Sequence, residues 1–356
     1  MKILITGACA VTARTILRGL KMSPEFKNAE FIGWDMCGLL YGVYSKAFDK
    51  MYKVPGVSDP AYEDVVRKIL ADERPDAAII VPEVEVRYWA NHELGVPCLL
   101  PPGKFADIAV CKDRLFAALR DTDLVPSHFN ASAGEIKSQD FNNTLGFPVW
   151  IRDGAAGTAS ARGAFKAFSN EDLRAWVQVN NGIDMFQLSE YLPGKIYACV
   201  CLYKDGVLKK VCLSQRIEYI MSKVAVSGIT GNICKGKLIN DRKVVDTAIR
   251  TIETLCAQTG EVPNGIIDVD MRDDVNGNPK VTEINMRFLS FSSVFASAGW
   301  NLFEDLVKLT LNRDDEVSPE IEKQFPESNW ILRDVDGEPV YVENPKELKM
   351  GECFCK

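Results

Sequence analysis

The sequence predicts a mixed protein: an α/β unit on a parallel, doubly wound sheet, followed by an α+β region of antiparallel strands. Three observations carry this prediction. Residues 2–6 (KILIT), 30–34 and 77–81 are short apolar runs separated by stretches with helical spacing, the βαβ order that builds a parallel sheet. From Gly146 onward, strands follow one another more closely, and the Asp205-Gly206 pair joins two of them as a hairpin turn does. The chain has 356 residues, 47% hydrophobic and 26% charged, a balance that suits two or three packed globular domains.

Taken in order, the KILIT strand is followed by a turn at Gly7, a helix over Val11 to Met22 and a second strand from Glu30 to Trp34 that ends at Asp35. Helical spacing returns over Ala61 to Ala71, and the strand Ala77 to Val81 is bounded by Pro75-Asp76 and Pro82. The run Leu99-Leu100-Pro101-Pro102-Gly103 breaks the pattern, which places a first boundary there, and a single helix is expected over Phe105 to Arg120. The second half reads as a helix near Asn170 to Val179 and strands Phe186 to Tyr191, Tyr197 to Lys204 and Val207 to Arg216. An amphipathic helix over Lys243 to Ala257 follows, with Val245, Ala248, Ile249, Ile252, Leu255 and Cys256 on one face. Strands Gly265 to Met271 and Lys280 to Asn285 bracket an Asn276-Gly277 turn, and a helix spans Leu302 to Leu311.

The net charge of −7, with no basic block, predicts no nucleic-acid or anionic-membrane partner, so an anionic ligand has to be met by a few placed cations and backbone amides. The opening MKILITGACA starts directly on a strand without a basic leader, which predicts a cytoplasmic protein. Eleven cysteines follow no framework spacing and read as reduced thiols; the close pair Cys353 and Cys355 lacks the further ligands of a zinc set. With only His92 and His128 in the chain, histidine-based metal sites and Ser-His-Asp chemistry are disfavoured.

The most informative stretch is Ile266 to Arg287, IIDVDMRDDVNGNPKVTEINMR. A hairpin there puts Asp270 on one strand and Glu283 with Asn285 on its partner; the last two are two residues apart and share a face. Three oxygen donors then converge, which suits a hard cation such as Mg²⁺ carrying nucleotide phosphates. Residues 154–160 (GAAGTAS) are all small, so backbone N–H groups can approach anionic oxygens closely, but the Gly-Lys-Ser/Thr ending of a P-loop is missing.

These stretches resemble the ATP-grasp superfamily, specifically the synthetase halves of the carbamoyl phosphate synthase large chain and their stand-alone relatives, over roughly Met1 to Leu311. EINMR (283–287) resembles the family's E-x-N-x-R strand, with Met286 where proline is usual. GFPVWIRDGAAGTASARGA (146–164) resembles its strand, phosphate-binding cation and flexible glycine loop. KDRLFAAL (112–119) resembles a helix start that supplies another phosphate-facing cation, and QLSEYLPGKIYACV (187–200) the interlobe hinge that reads adenine.

The resemblance implies a Rossmann-like pre-ATP-grasp domain over residues 1–104. An ATP-grasp small lobe with the glycine loop would span 105–185, a large lobe with the metal site 186–315, and a C-terminal extension 316–356. It implies ATP and Mg²⁺ or Mn²⁺ as cofactors. Asp270, Glu283 and Asn285 would be the metal ligands; Arg114, Arg152 and the loop residues Gly157, Thr158 and Ala159 would face the phosphates. Glu190, Tyr191 and Leu192 would form the adenine hinge, and Arg216 and Arg287 would act on the acceptor and the transferring phosphoryl group. The family's ribose carboxylate is replaced by Ile196. The implied activity is ligation of a small-molecule carboxylate to an amine or ammonia through an acyl phosphate, in a homodimer; with one synthetase unit and no evident glutaminase, the chain is not expected to make carbamoyl phosphate alone. Two alternatives are a catalytically silent ATP-binding module or partner subunit, suggested by Ile196, and an NAD-dependent enzyme, suggested by KILIT, Gly7 and Asp35. Against the second, the turn GACAVTA has one glycine where the dinucleotide motif needs three.

Overall fold

The computed structural model of the chain describes residues 1–37, 43, 46–154, 162–334 and 347–355, organised around three sheets. The first sheet is built by β1 (Lys2–Thr6), β2 (Glu30–Asp35), β3 (Lys50–Lys53) and β4 (Ala77–Ile79), with helices α1 (Val11–Met22), α2 (Tyr62–Glu73) and α3 (Glu83–Asn91) between and after them. β1 lies parallel to β2 and β4, and β3 parallel to β2, as the apolar runs predict. Leu4 faces one hydrophobic core while Ile3 and Ile5 face another; burial on both sides is why the strand reads as a continuous apolar run.

The single helix expected over Phe105 to Arg120 is two: α4 (Gly103–Ala109) and α5 (Lys112–Ala118). Cys111 between them is extended, at φ −123° and ψ 115°, and the break at Val110 and Cys111 falls where two poor helix formers adjoin. A second sheet follows, from β5 (His128–Ser132), β6 (Val149–Asp153), β7 (Phe165–Ala167) and β8 (Met185–Glu190), in the antiparallel order β5-β8-β6-β7. It carries α6 (Ala133–Ser138), started by a Ser132–Glu135 capping box, and α7 (Asn170–Val179), capped by Ser169. Ile151, Leu173, Val177, Phe186 and Leu188 close a small core that belongs to this lobe alone.

The third sheet is antiparallel throughout, in the order β13-β12-β9-β10-β11-β14. Its members are β9 (Ile196–Lys204), β10 (Val207–Tyr219), β11 (Ile233–Leu238), β12 (Gly265–Asp273), β13 (Pro279–Asn285) and β14 (Ile331–Leu332). The β9–β10 turn has φ 50° at Asp205 and 83° at Gly206, the left-handed pair that matches strand twist in a two-residue hairpin. Helix α8 (Arg242–Thr259) packs on one face; the short α9 (Ser293–Ser297) and α10 (Leu302–Thr310) meet α1 on the other side of the sheet. There a Cβ at Gly19 would stand 2.1 Å from the Phe303 ring, so only glycine permits this helix contact. The last strand, β15 (Cys353–Cys355), returns to the first sheet and lies antiparallel to β3.

Both faces of the third sheet share cores with the first. Cys199, Cys201, Ile267 and Val269 join Leu4, Ile32 and Trp34, while Val200, Leu202 and Cys212 join Ile3, Ile5 and Phe303. The ten described cysteine thiols are free of disulfides. Among the described residues no helix is long and apolar enough to cross a membrane.

Candidate active site

A cavity of about 680 Å³ opens between the small-lobe strands and the end of the third sheet where β9 begins. Strand register sets out its floor in three rows. Ile196 on β9 stands between Arg216 on β10 and Arg272 on β12. Two residues on, Ala198 stands between Ser214 and Asp270, with Glu283 of β13 beyond. Two further on, Val200 stands between Cys212 and Asp268, with Asn285 beyond. Alternation along a strand puts all three rows on one face, so the i, i+2 reading of this hairpin holds in three dimensions.

The charges on that face are paired. Arg216 holds Asp270 in a bidentate clasp, Nη1 to Oδ2 at 2.9 Å and Nη2 to Oδ1 at 2.5 Å. Burial alone would lower the Arg216 pKa, but the Asp270 carboxylate outweighs it and the pKa is raised. Burial raises the pKa of Asp270 in turn, opposed by Arg216. Asp268 is fully buried, and burial, then the neighbouring Asp270, pushes its carboxyl far up. Its Oδ2 accepts from Asn285 Nδ2 at 3.2 Å, while Oδ1 has no hydrogen-bond partner among the described residues. Arg287 Nη2 donates to Asn285 Oδ1 at 3.3 Å, and its Nε lies 3.7 Å from Glu83 Oε1.

From the small lobe, Arg152 on β6 reaches the same space. Its Nε and Nη2 donate to Gln187 Oε1 at 2.8 and 2.5 Å, and Nη1 donates to the Thr282 carbonyl at 3.0 Å, tying β6 to β13. The guanidinium lies 5.0 Å from the Phe116 ring centroid, and burial lowers its pKa to about 10 against the pull of Glu283 and Asp113. Lys112 lies 3.6 Å from Glu283 Oε1. Arg114 does not enter the site: it is exposed, and its Nη1 donates to the Asp107 carbonyl at 3.2 Å. The break at Cys111 turns Lys112 inward instead, so the inward cation on this helix is Lys112.

Glu190, Tyr191 and Leu192, the expected hinge, line the cavity with Trp150. Gly194 then locks the chain to the large lobe: its N–H donates to the Asp273 carbonyl at 3.1 Å, and a Cβ there would stand 2.4 Å from Asp273 Cβ. Gly157, Thr158 and Ala159 lie outside the described residues. On either side of that stretch in sequence, the Asp153 N–H donates to the Arg162 carbonyl at 3.1 Å and Arg162 Nε lies 3.2 Å from Asp153 Oδ2.

The structure therefore brings Arg152, Arg216, Asp270, Glu283, Asn285, Arg287 and the hinge to one cavity. It adds Arg272 to that cavity, and places Lys112, Asp268 and Glu83 behind it against Glu283, Asn285 and Arg287. Burial pushes the Glu83 carboxyl up, against the pull of Arg287. A signal for Glu83 was present: it follows Pro82 just past the carboxyl end of a parallel strand, where open α/β sheets place ligands.

The oxygen donors fit a hard divalent cation. Asp270, Glu283 and Asn285 share one face, and the orphaned Asp268 Oδ1 lies on the same face. Among the described residues no three His, Cys, Asp or Glu side chains form a ready cage, so a cation here would draw on the Asn285 amide as well as the carboxylates.

No family model matches the sequence, and no curated protein matches it. Solved structures do. The chain is similar to an N5-carboxyaminoimidazole synthetase from Staphylococcus aureus complexed with ADP, at 12% identity and TM-score 0.64, over 93% of this chain and 79% of that one. It is similar to an L-amino acid ligase from Bacillus licheniformis, at 14% identity and TM-score 0.62, over 89% and 77% of the two chains. A third is the biotin carboxylase domain of Hydrogenobacter thermophilus 2-oxoglutarate carboxylase, in complex with MgADP, ADP and bicarbonate, at 14% identity and TM-score 0.61, over 92% and 73%. The chain has the ATP-grasp fold.

Proposed function

We propose that this protein is an ADP-forming ligase that uses Mg-ATP to activate a small-molecule carboxylate as an acyl phosphate and joins it to an amine or ammonia. The observation that carries the reading is Arg152 donating to the Thr282 carbonyl next to Glu283: a cation from one lobe and oxygen donors from the other meet in one cavity. The solved relatives with ADP or MgADP support the nucleotide, and the L-amino acid ligase supports amine acceptors.

In this reading the base lies at the hinge, and Arg152 and Lys112 neutralise the phosphates. Glu283, Asn285 and Asp270 would hold Mg²⁺ or Mn²⁺, which would supply neutralisation of phosphate charge. A carboxylate oxygen, oriented by Arg287, attacks the γ-phosphorus; the bond to ADP breaks and an acyl phosphate forms. The amine then attacks the carbonyl carbon, the C–N bond forms as the C–O bond to phosphate breaks, and the amine's proton leaves to solvent. The chain's task is to position these groups and exclude water, because water would hydrolyse the acyl phosphate.

ADP release from Mg-ATP, measured against pools of carboxylates and amines with Glu283→Ala as control, tests this. The expected result is release that requires both substrates and falls at least about a hundredfold in a folded Glu283→Ala protein. Full activity in that variant removes the site assignment. Binding of Mg-ATP without turnover favours the silent module, a reading that the clasp of Arg216 on Asp270 also supports.

A further inference from the structure

Between hinge and phosphate end, the floor of the cavity presents the row Arg216, Ile196, Arg272. With the base at the hinge and the phosphates at Arg152, the stretch between them receives the sugar, whose hydroxyls need polar partners. Ile196 offers none. Arg216 is committed to Asp270 through both terminal nitrogens. Arg272 is differently placed: Nε donates to the Gly194 carbonyl at 3.4 Å, Nη2 donates to Tyr191 Oη at 3.2 Å, and the guanidinium carbon lies 5.1 Å from the Tyr191 ring centroid. Its Nη1 makes no hydrogen bond among the described residues, and the residue lines the cavity.

We propose that Arg272 is the ribose-reading residue, donating from its guanidinium to a 2′- or 3′-hydroxyl oxygen of the bound nucleotide. This rests on the nucleotide reading above. A guanidinium can only donate, so the hydroxyl is recognised as an acceptor, the reverse of what a carboxylate at position 196 would do. Two anchors on the hinge hold the guanidinium before the nucleotide arrives, so little side-chain freedom is left to lose on binding. The same charge draws the anionic nucleotide toward the cavity.

The test is equilibrium binding of ATP, 2′-deoxyATP and 3′-deoxyATP with Mg²⁺ to the full chain, to Arg272→Met, which keeps an unbranched stem against Tyr191, and to Arg272→Lys. The expected result is that at least one deoxynucleotide binds the wild-type chain about tenfold more weakly than ATP. In Arg272→Met, ATP falls to that level and the discrimination disappears, with an unchanged melting transition; Arg272→Lys retains part of it. If the wild-type chain binds ATP but treats all three nucleotides alike, or Arg272→Met and Arg272→Lys discriminate as it does, the assignment of Arg272 is overturned while the ATP site stands. If the wild-type chain binds none of them, the nucleotide reading itself fails.

Discussion

The lobe of β5 to β8 and the remainder of the molecule are held together by different means. Ile151, Leu173, Phe186 and Leu188 pack in a core confined to the lobe, whereas the first and third sheets bury their side chains in two common cores, with Ile3 and Val200 in one and Leu4 and Ile267 in the other. A core that stops at a lobe boundary lets the lobe move as a unit, while shared cores make two sheets a single platform. The cavity lies between them, its floor on the platform and Arg152 on the lobe side. Arg152 to the Thr282 carbonyl is one of the polar contacts that span the two, with Arg272 to Tyr191 Oη another.

The strongest way to break this contrast is to disturb the platform. Asp270→Asn leaves the buried Arg216 without its carboxylate, and loss of one partner of such a pair costs about 3–5 kcal/mol. Chemical denaturation should show that loss in a transition shared by the first and third sheets. Separate unfolding of the two sheets would refute the platform. Leu173→Ala, in the lobe's own core, should cost about 2–4 kcal/mol. Hydrogen exchange should place that loss in amides of β5 to β8, with β9 to β13 still protected; equal loss in both would erase the boundary.

A smaller effect is expected from pH. Burial alone would raise the Glu73 carboxyl, but hydrogen bonds from Lys50, Tyr52 and Lys2 outweigh it and hold the carboxyl down to about 2. A carboxyl whose pKa is depressed in the folded state stabilises above its unfolded value near 4.5 and loses that contribution as pH falls toward 2. Glu73→Gln should therefore lower platform stability by about 2 kcal/mol at pH 7, and the difference from wild type should shrink below about pH 4.5 and close near pH 2. A difference that persists unchanged at pH 2 would show that the effect is not ionic.

How far the sequence could be read follows the same division. The platform's first sheet was legible because strands buried on both faces leave apolar runs, and the floor was legible because Asp270, Glu283 and Asn285 sit on one hairpin. The expectation for Arg114 meets an exposed side chain, with Lys112 buried instead, because directions two residues apart on a helix differ by about 200° and the break at Cys111 sets which one faces inward. Arg272 carries no sequence signal because its partner Tyr191 is distant in sequence, whereas Glu83 is marked by its place after Pro82 even though its partner Arg287 is also remote. β14 and β15 span two and three residues, too few to show a period.

The return of β15 to β3 bears on how the protein is made. Lys53 at the end of β3 bonds Glu347, 294 positions later, just before β15. At about 5–20 residues per second of synthesis, the outer edge of β3 is without that partner for roughly 15–60 s. During that interval the nascent chain offers an open strand edge, a site for a chaperone to shield or for a neighbouring chain to pair with.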